Sequence, residues 1–211
     1  MSIETWIAFV LASAVMLVIP GPTILAVISY SVTHGRAASL PLVAAVALGD
    51  ATALTASLLG LGALLAISAT WFTVIKLLGG AYLLFLGISM IRGSRTPAST
   101  ANTPSSSLAT HRSLFVRTYL VTALNPKGIV FFVAFLPQFV STDAPAAWQL
   151  WILAVTFVVL ATLNAALYTC FAGAARRLLQ SPSAKRTFER AGGSLLGAAG
   201  IWTLLARRPA V

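Results

Sequence analysis

Long apolar stretches separated by short polar connections run along the whole chain, at about residues 6–30, 40–67, 71–91, 114–140, 148–172 and 191–206. They are apolar on all sides rather than along one helical stripe, which marks segments surrounded by lipid rather than helices laid on a soluble core. Crossing a bilayer takes about 20 mostly apolar residues. The sixth stretch, roughly 24 Å long at 1.5 Å per residue, is the shortest. The pattern predicts an all-α polytopic membrane protein with six transmembrane helices.

Two of the stretches are interrupted near mid-span. The first carries Pro20-Gly21-Pro22 and the fourth carries Asn125-Pro126-Lys127. Proline removes a backbone donor and clashes with the preceding turn, so a helix must bend or open at each place. Backbone groups freed at membrane depth are tolerated only where protein or a watery cavity satisfies them. Interrupted segments at corresponding places in two halves of a chain point to the binding site of a secondary transporter.

The chain also repeats itself. Gly79-Gly80-Ala81-Tyr82-Leu83 with Gly87-Ile88 in the third stretch is echoed by Gly192-Gly193-Ser194-Leu195-Leu196 with Gly200-Ile201 in the sixth, an offset of 113. Asp50 in the second stretch pairs with Asn164 in the fifth at 114, and the two breaks pair at about 105. Three spans per half is an odd number, so the second half enters the membrane from the opposite side. The expected architecture is a 3+3 inverted repeat with broken first and fourth helices. Residues 1–93 form the first repeat, 94–113 a flexible cytoplasmic linker rich in Ser, Thr, Ala and Pro, and 114–211 the second repeat. Most of the glycines in the spans, Gly49, Gly60, Gly80, Gly87 and Gly193 among them, are expected to let helices approach closely.

Composition agrees with this class. The 211 residues are 58% hydrophobic and 9% charged, against about 25% charged in an ordinary soluble domain. The net charge of +10 suggests nucleic acid until its distribution is considered. Arg36, Arg92, Arg95, Arg112, Arg117, Arg176, Arg177, Lys185, Arg186 and Arg190 fall in alternate connections, and only Arg207 and Arg208 lie on the other side. Basic loops stay cytoplasmic, so both termini are expected outside and no nucleic-acid partner is implied. Trp6, Trp71, Trp148, Trp151 and Trp202 lie mostly near span ends, as an interfacial belt would. One cysteine and two histidines cannot assemble a zinc-like cluster.

Few polar residues lie inside the spans, and each is a candidate. Asp50 is the only carboxylate deep in one. An acid there normally faces a bundle interior or wet cavity, where it binds an ammonium group or carries a proton. Its alternative role is as structural partner of Lys76 or Lys127. Asn125 can satisfy freed backbone groups. Lys127 can attract a carboxylate, pair with Asp50 or snorkel to the interface. Pro20, Gly21 and Pro22 offer carbonyls, and the half-helix that follows presents an N-terminus suited to anions. Asn164 and Tyr82 are further candidates, with helix-to-helix hydrogen bonding as their alternative.

Ile19-Pro20-Gly21-Pro22, Leu124-Asn125-Pro126-Lys127, the run from Phe131 to Phe139 (FFVAFLPQF) and the run from Gly79 to Gly87 (GGAYLLFLG) together resemble the LysE/RhtB amino-acid exporter family. The resemblance covers nearly the whole chain and is closer to the homoserine/threonine-exporter branch than to the lysine-exporter branch. It implies a secondary exporter of amino acids or their derivatives, neutral and homoserine- or threonine-like, in the bacterial inner membrane. An ion gradient would drive it, with proton antiport the expected coupling; no cofactor is implied, and a homo-oligomer is compatible with it. An enzyme is disfavoured, because the spans hold no histidine and one acid. A membrane scaffold, needing only packing surfaces, is the alternative.

Overall fold

The computed structural model describes residues 1–67, 110–141 and 144–205, together with positions 74, 77–78, 80–81, 84–85, 87–89 and 91–92. Tyr82 and Lys76 lie outside the described residues, as does nearly all of the expected linker. Every regular element among the described residues is helical.

Helix α1 (Ile3–Val18) starts on Ser2, whose hydroxyl accepts from Thr5 N. It ends just before the first break, and α2 (Pro22–His34) resumes on the far side. Gly35, with φ of 65°, ends α2 in a left-handed turn that suits glycine. A 3₁₀ turn (Gly35–Ala38) leads into α3 (Ser39–Ile67). In the second half α4 (His111–Ala123) stops before Asn125, and α5 (Pro126–Val130) follows. Next come α6 (Ala146–Cys170), α7 (Ala172–Gln180) and α8 (Pro182–Leu205). By length and apolar character, Pro22–Gly60, His111–Phe139 and Ala146–Cys170 can each cross a membrane, while Ile3–Val18 is apolar but shorter.

Two features depart from the pattern read in the sequence. The stretch 114–140 has a second irregularity beyond its break: α5 widens into a π turn (Phe131–Phe135) and then tightens into a 3₁₀ turn (Leu136–Phe139). Pro137 has no N–H for the helical ladder, which explains the change of winding. Gln138 Nε2 donates to Ala134 O at 3.3 Å, meeting a carbonyl in the same disturbed turn. The sixth stretch also starts earlier than its apolar part, because α8 begins at Pro182 and its first turns are polar and basic.

The core is aromatic. Phe9, Phe131, Phe132, Phe135, Phe139 and Phe157 cluster with Met16, Leu54, Leu136 and Leu153. Phe132 and Phe157 meet edge to face with centroids 4.8 Å apart. The outer faces are apolar too. Trp151, Val155, Val159, Leu163 and Leu167, four residues apart along α6, are all exposed. So broad an apolar surface belongs in lipid. Trp148 and Trp151 stand exposed near the start of α6, whereas Trp6 is partly buried and donates from Nε1 to Thr156 Oγ1 at 3.1 Å.

Glycines set the closest helix contacts. A Cβ on Gly49 would lie 2.7 Å from Thr122 Cβ, so α3 and α4 touch almost backbone to side-chain root. A Cβ on Gly87 would lie 2.5 Å from Gly193 O, and one on Gly193 would lie 2.5 Å from Gly87 O. Gly80 and Gly200 meet in the same way, at 3.2 and 2.7 Å. The two segments therefore run antiparallel, with 80 against 200 and 87 against 193. Gly60 differs from these: among the described residues no atom lies within 4 Å of where its Cβ would be. Gly193→Val should lower stability by about 1–3 kcal/mol or more, since backbone cannot move aside as a side chain can. Gly173→Ala, with no described atom within 4 Å of its Cβ position, should melt at or above the wild-type temperature. Thermal unfolding in detergent micelles checks both.

Candidate functional site

The first break follows directly from its residues. Pro20 and Pro22 have no N–H to offer the carbonyls of Met16 and Val18, and Ile19 turns into extended backbone. Gly21 is the N-cap of α2 and Pro22 its first residue, where a missing N–H does no harm. The last carbonyls of α1, from Met16 to Ile19, thus lose their helical donors.

All four are met by side chains from the second half. Lys127 Nζ donates to Met16 O at 2.8 Å and to Ile19 O at 3.0 Å. Asn164 Nδ2 donates to Leu17 O at 3.1 Å, and the Tyr168 hydroxyl donates to Val18 O at 2.8 Å. Leaving a buried carbonyl unmet costs about 1–3 kcal/mol, and bilayer hydrocarbon has no water to take the donor's place. These bonds therefore hold the broken helix to the other half of the molecule.

The second break is built differently. Asn125 caps α5, its Oδ1 accepting from Lys127 N at 3.1 Å, and Pro126 occupies the first helical position. Asn125 Nδ2 donates across to Thr23 Oγ1 at 3.2 Å. The two breaks are therefore in direct contact, with Gly21 beside the Lys127 stem: a Cβ at Gly21 would lie 3.5 Å from Lys127 Cδ. Lys127 points inward to the first break rather than out to an interface.

A cavity of about 40 Å³ lies between the breaks, lined by Met16, Leu17, Ile19, Gly21, Thr23, Asp50, Asn125, Lys127 and Asn164 together with apolar neighbours. Asp50 is 8% exposed. The tight seat of Gly49 on Thr122 brings this part of α3 against α4, close to the second break. No described residue forms a hydrogen bond or ion pair with the Asp50 carboxylate, so it shares the cavity with Lys127 without being joined to it. At roughly 10–15 Å³ per water, the space holds about three waters and no amino acid.

Of the sequence candidates, the structure brings together Pro20, Gly21, Pro22, Asp50, Asn125, Pro126, Lys127 and Asn164. Tyr82 lies outside the described residues. The sequence reading missed Tyr168 and Thr23. Tyr168 had a signal, because it stands one helical turn after Asn164 and so shares its face. Among the described residues there is no group of three His, Cys, Asp or Glu side chains able to hold a metal. The cavity offers a carboxylate, an ammonium, side-chain amides and backbone carbonyls, a set able to meet both donors and acceptors of a small polar ligand.

The LysE type translocator family model matches residues 14–207. The homoserine/homoserine lactone efflux protein of Salmonella typhimurium is 31% identical over 212 residues, covering 98% of this chain and 99% of the relative. An uncharacterised membrane protein of Vibrio cholerae is 33% identical over 201 residues, 95% and 97% of the two chains. The leucine efflux protein of Salmonella choleraesuis is 27% identical over 163 residues, 77% and 73%. No solved structure matches. With the family model spanning nearly the whole chain and relatives matching end to end, this membrane protein belongs to the LysE-type translocator family.

Proposed function

We propose that the chain is a secondary active exporter of neutral amino acids or their derivatives, homoserine- or threonine-like, working by proton antiport across the bacterial inner membrane. The observation that carries this reading is the polar cavity between the two helix breaks, with Asp50, Lys127 and Asn164 on its walls. Asp50 receives the substrate's ammonium group or the coupling proton, so that one carboxylate alternates between the two cargoes. The efflux relatives support the direction and the class of substrate.

The working architecture is a 3+3 inverted repeat of six spans, residues 1–93 and 114–211, joined by a cytoplasmic linker at 94–113. The glycine seam supports it. Under an offset of 113, Gly80 corresponds to Gly193 and Gly87 to Gly200, so exchanging the halves turns the Gly80–Gly200 contact into the Gly87–Gly193 contact. A contact that maps onto itself in this way is what a pseudo-two-fold axis produces. The basic connections lie on the cytoplasmic side and both termini outside.

Two experiments test this function. Asp50→Asn keeps the shape and removes the charge. It should reduce export severely, at least tenfold, with normal membrane insertion, and it should flatten the pH dependence of whatever transport remains. Normal export with an unchanged pH profile would assign Asp50 to packing. For the topology, a cysteine added at the C-terminus should react with an impermeant reagent in intact cells. Protection until lysis would rule out the outside placement.

A further inference from the structure

The bonds across the first break are sorted by origin. The first half supplies only carbonyls, from Met16, Leu17, Val18 and Ile19, and the second half supplies only donors, from Lys127, Asn164 and Tyr168. Met16, Leu17, Ile19, Lys127 and Asn164 are at the same time walls of the cavity. A space of about 40 Å³ cannot take an amino acid, so a ligand is admitted only when these walls part. Parting them breaks the bonds, and the Met16 and Ile19 carbonyls that Lys127 held on the cavity wall then need new donors in a place where lipid supplies none. A primary ammonium brings three N–H donors and a positive charge, and Asp50 stands in the same cavity to balance that charge.

We propose that Lys127, Asn164 and Tyr168 form a latch that caps the freed carbonyls of the first break in the ligand-free state, and that on opening Lys127 yields the Met16 and Ile19 carbonyls to the ammonium group of the transported molecule, whose third N–H faces Asp50. This rests on the transport reading of the cavity. The protein's own ammonium, on Lys127, and the ligand's ammonium compete for the same oxygens. The strength of the latch therefore sets both how often the cavity opens and how tightly a ligand binds. Once released, Lys127 is free to meet a substrate carboxylate where there is one. A cap needed in every state would behave differently: weakening it would lower stability without opening the cavity.

Labelling separates the two. Ala161 lines the cavity, is 1% exposed and takes part in none of the latch bonds. Ala161→Cys in a Cys170→Ser background places a single thiol there, and its rate of reaction with a small charged methanethiosulfonate measures opening with no ligand present. Tyr168→Phe, which removes one hydroxyl, should speed the reaction roughly two- to tenfold, the factor expected of one neutral hydrogen bond. Asn164→Leu should act in the same direction. An unchanged rate in both variants overturns the latch. In the parent protein, L-threonine and L-threonine methyl ester keep the ammonium and should slow labelling, while N-acetyl-L-threonine should not. Equal protection by the acetylated compound overturns the exchange. Protection by none of the three overturns the exchange and the transport reading with it, while faster labelling of Tyr168→Phe still establishes the latch.

Discussion

Four backbone carbonyls at the end of α1 cannot be left unmet inside a bilayer, and the rest of the site is arranged around that constraint. Prolines at 20 and 22 make the helix end in mid-chain, and the lipid phase offers no solvent to finish it. The second half supplies the missing donors from two elements, the first turn of α5 and one face of α6. The breaks must lie together for this to happen, and the cavity between them is a consequence of the same arrangement. The broken helix thus brings backbone carbonyls to the wall of a polar cavity inside an otherwise apolar bundle.

Two kinds of packing hold this centre in place. Where helices meet at glycine, as at Gly49 against Thr122 and along the seam of Gly80, Gly87, Gly193 and Gly200, backbones approach until no side chain fits between them. In hydrocarbon such contacts replace the hydrophobic drive that holds soluble helices together. The phenylalanine cluster fills the space between α1, the π turn and α6 and reaches the polar cavity at Met16, Phe157 and Ala161, which belong to both. A rigid aromatic core beside a hydrogen-bonded break suits motion at the break rather than throughout the bundle.

Much of this is legible in the sequence for physical reasons. A proline in an apolar run is costly, and so is a carboxylate, which made the two breaks and Asp50 stand out. Lys127 was visible as well, but its target was not, because backbone carbonyls leave no mark in a sequence. Tyr168 passes unnoticed since a tyrosine in lipid-facing sequence reads as an interfacial aromatic, and only its spacing from Asn164 hints otherwise. Pro137 was hidden by the break eleven residues before it in the same run. The early start of α8 was missed because its first turns, with Lys185, Arg186 and Arg190, read as a connection. Gly60 looked like a packing glycine by composition, and among the described residues no atom lies against it.

The central claim is that small solutes bearing an ammonium group pass through the cavity between the breaks without ATP. Counterflow in proteoliposomes holding the purified chain tests it most directly, with each vesicle preparation loaded with one amino acid and the same compound supplied outside as a labelled tracer. The account predicts transient accumulation of tracer for neutral amino acids such as threonine or homoserine, and none for their N-acetylated forms. Tracer uptake no greater than in protein-free liposomes, for every amino acid tried, would contradict it.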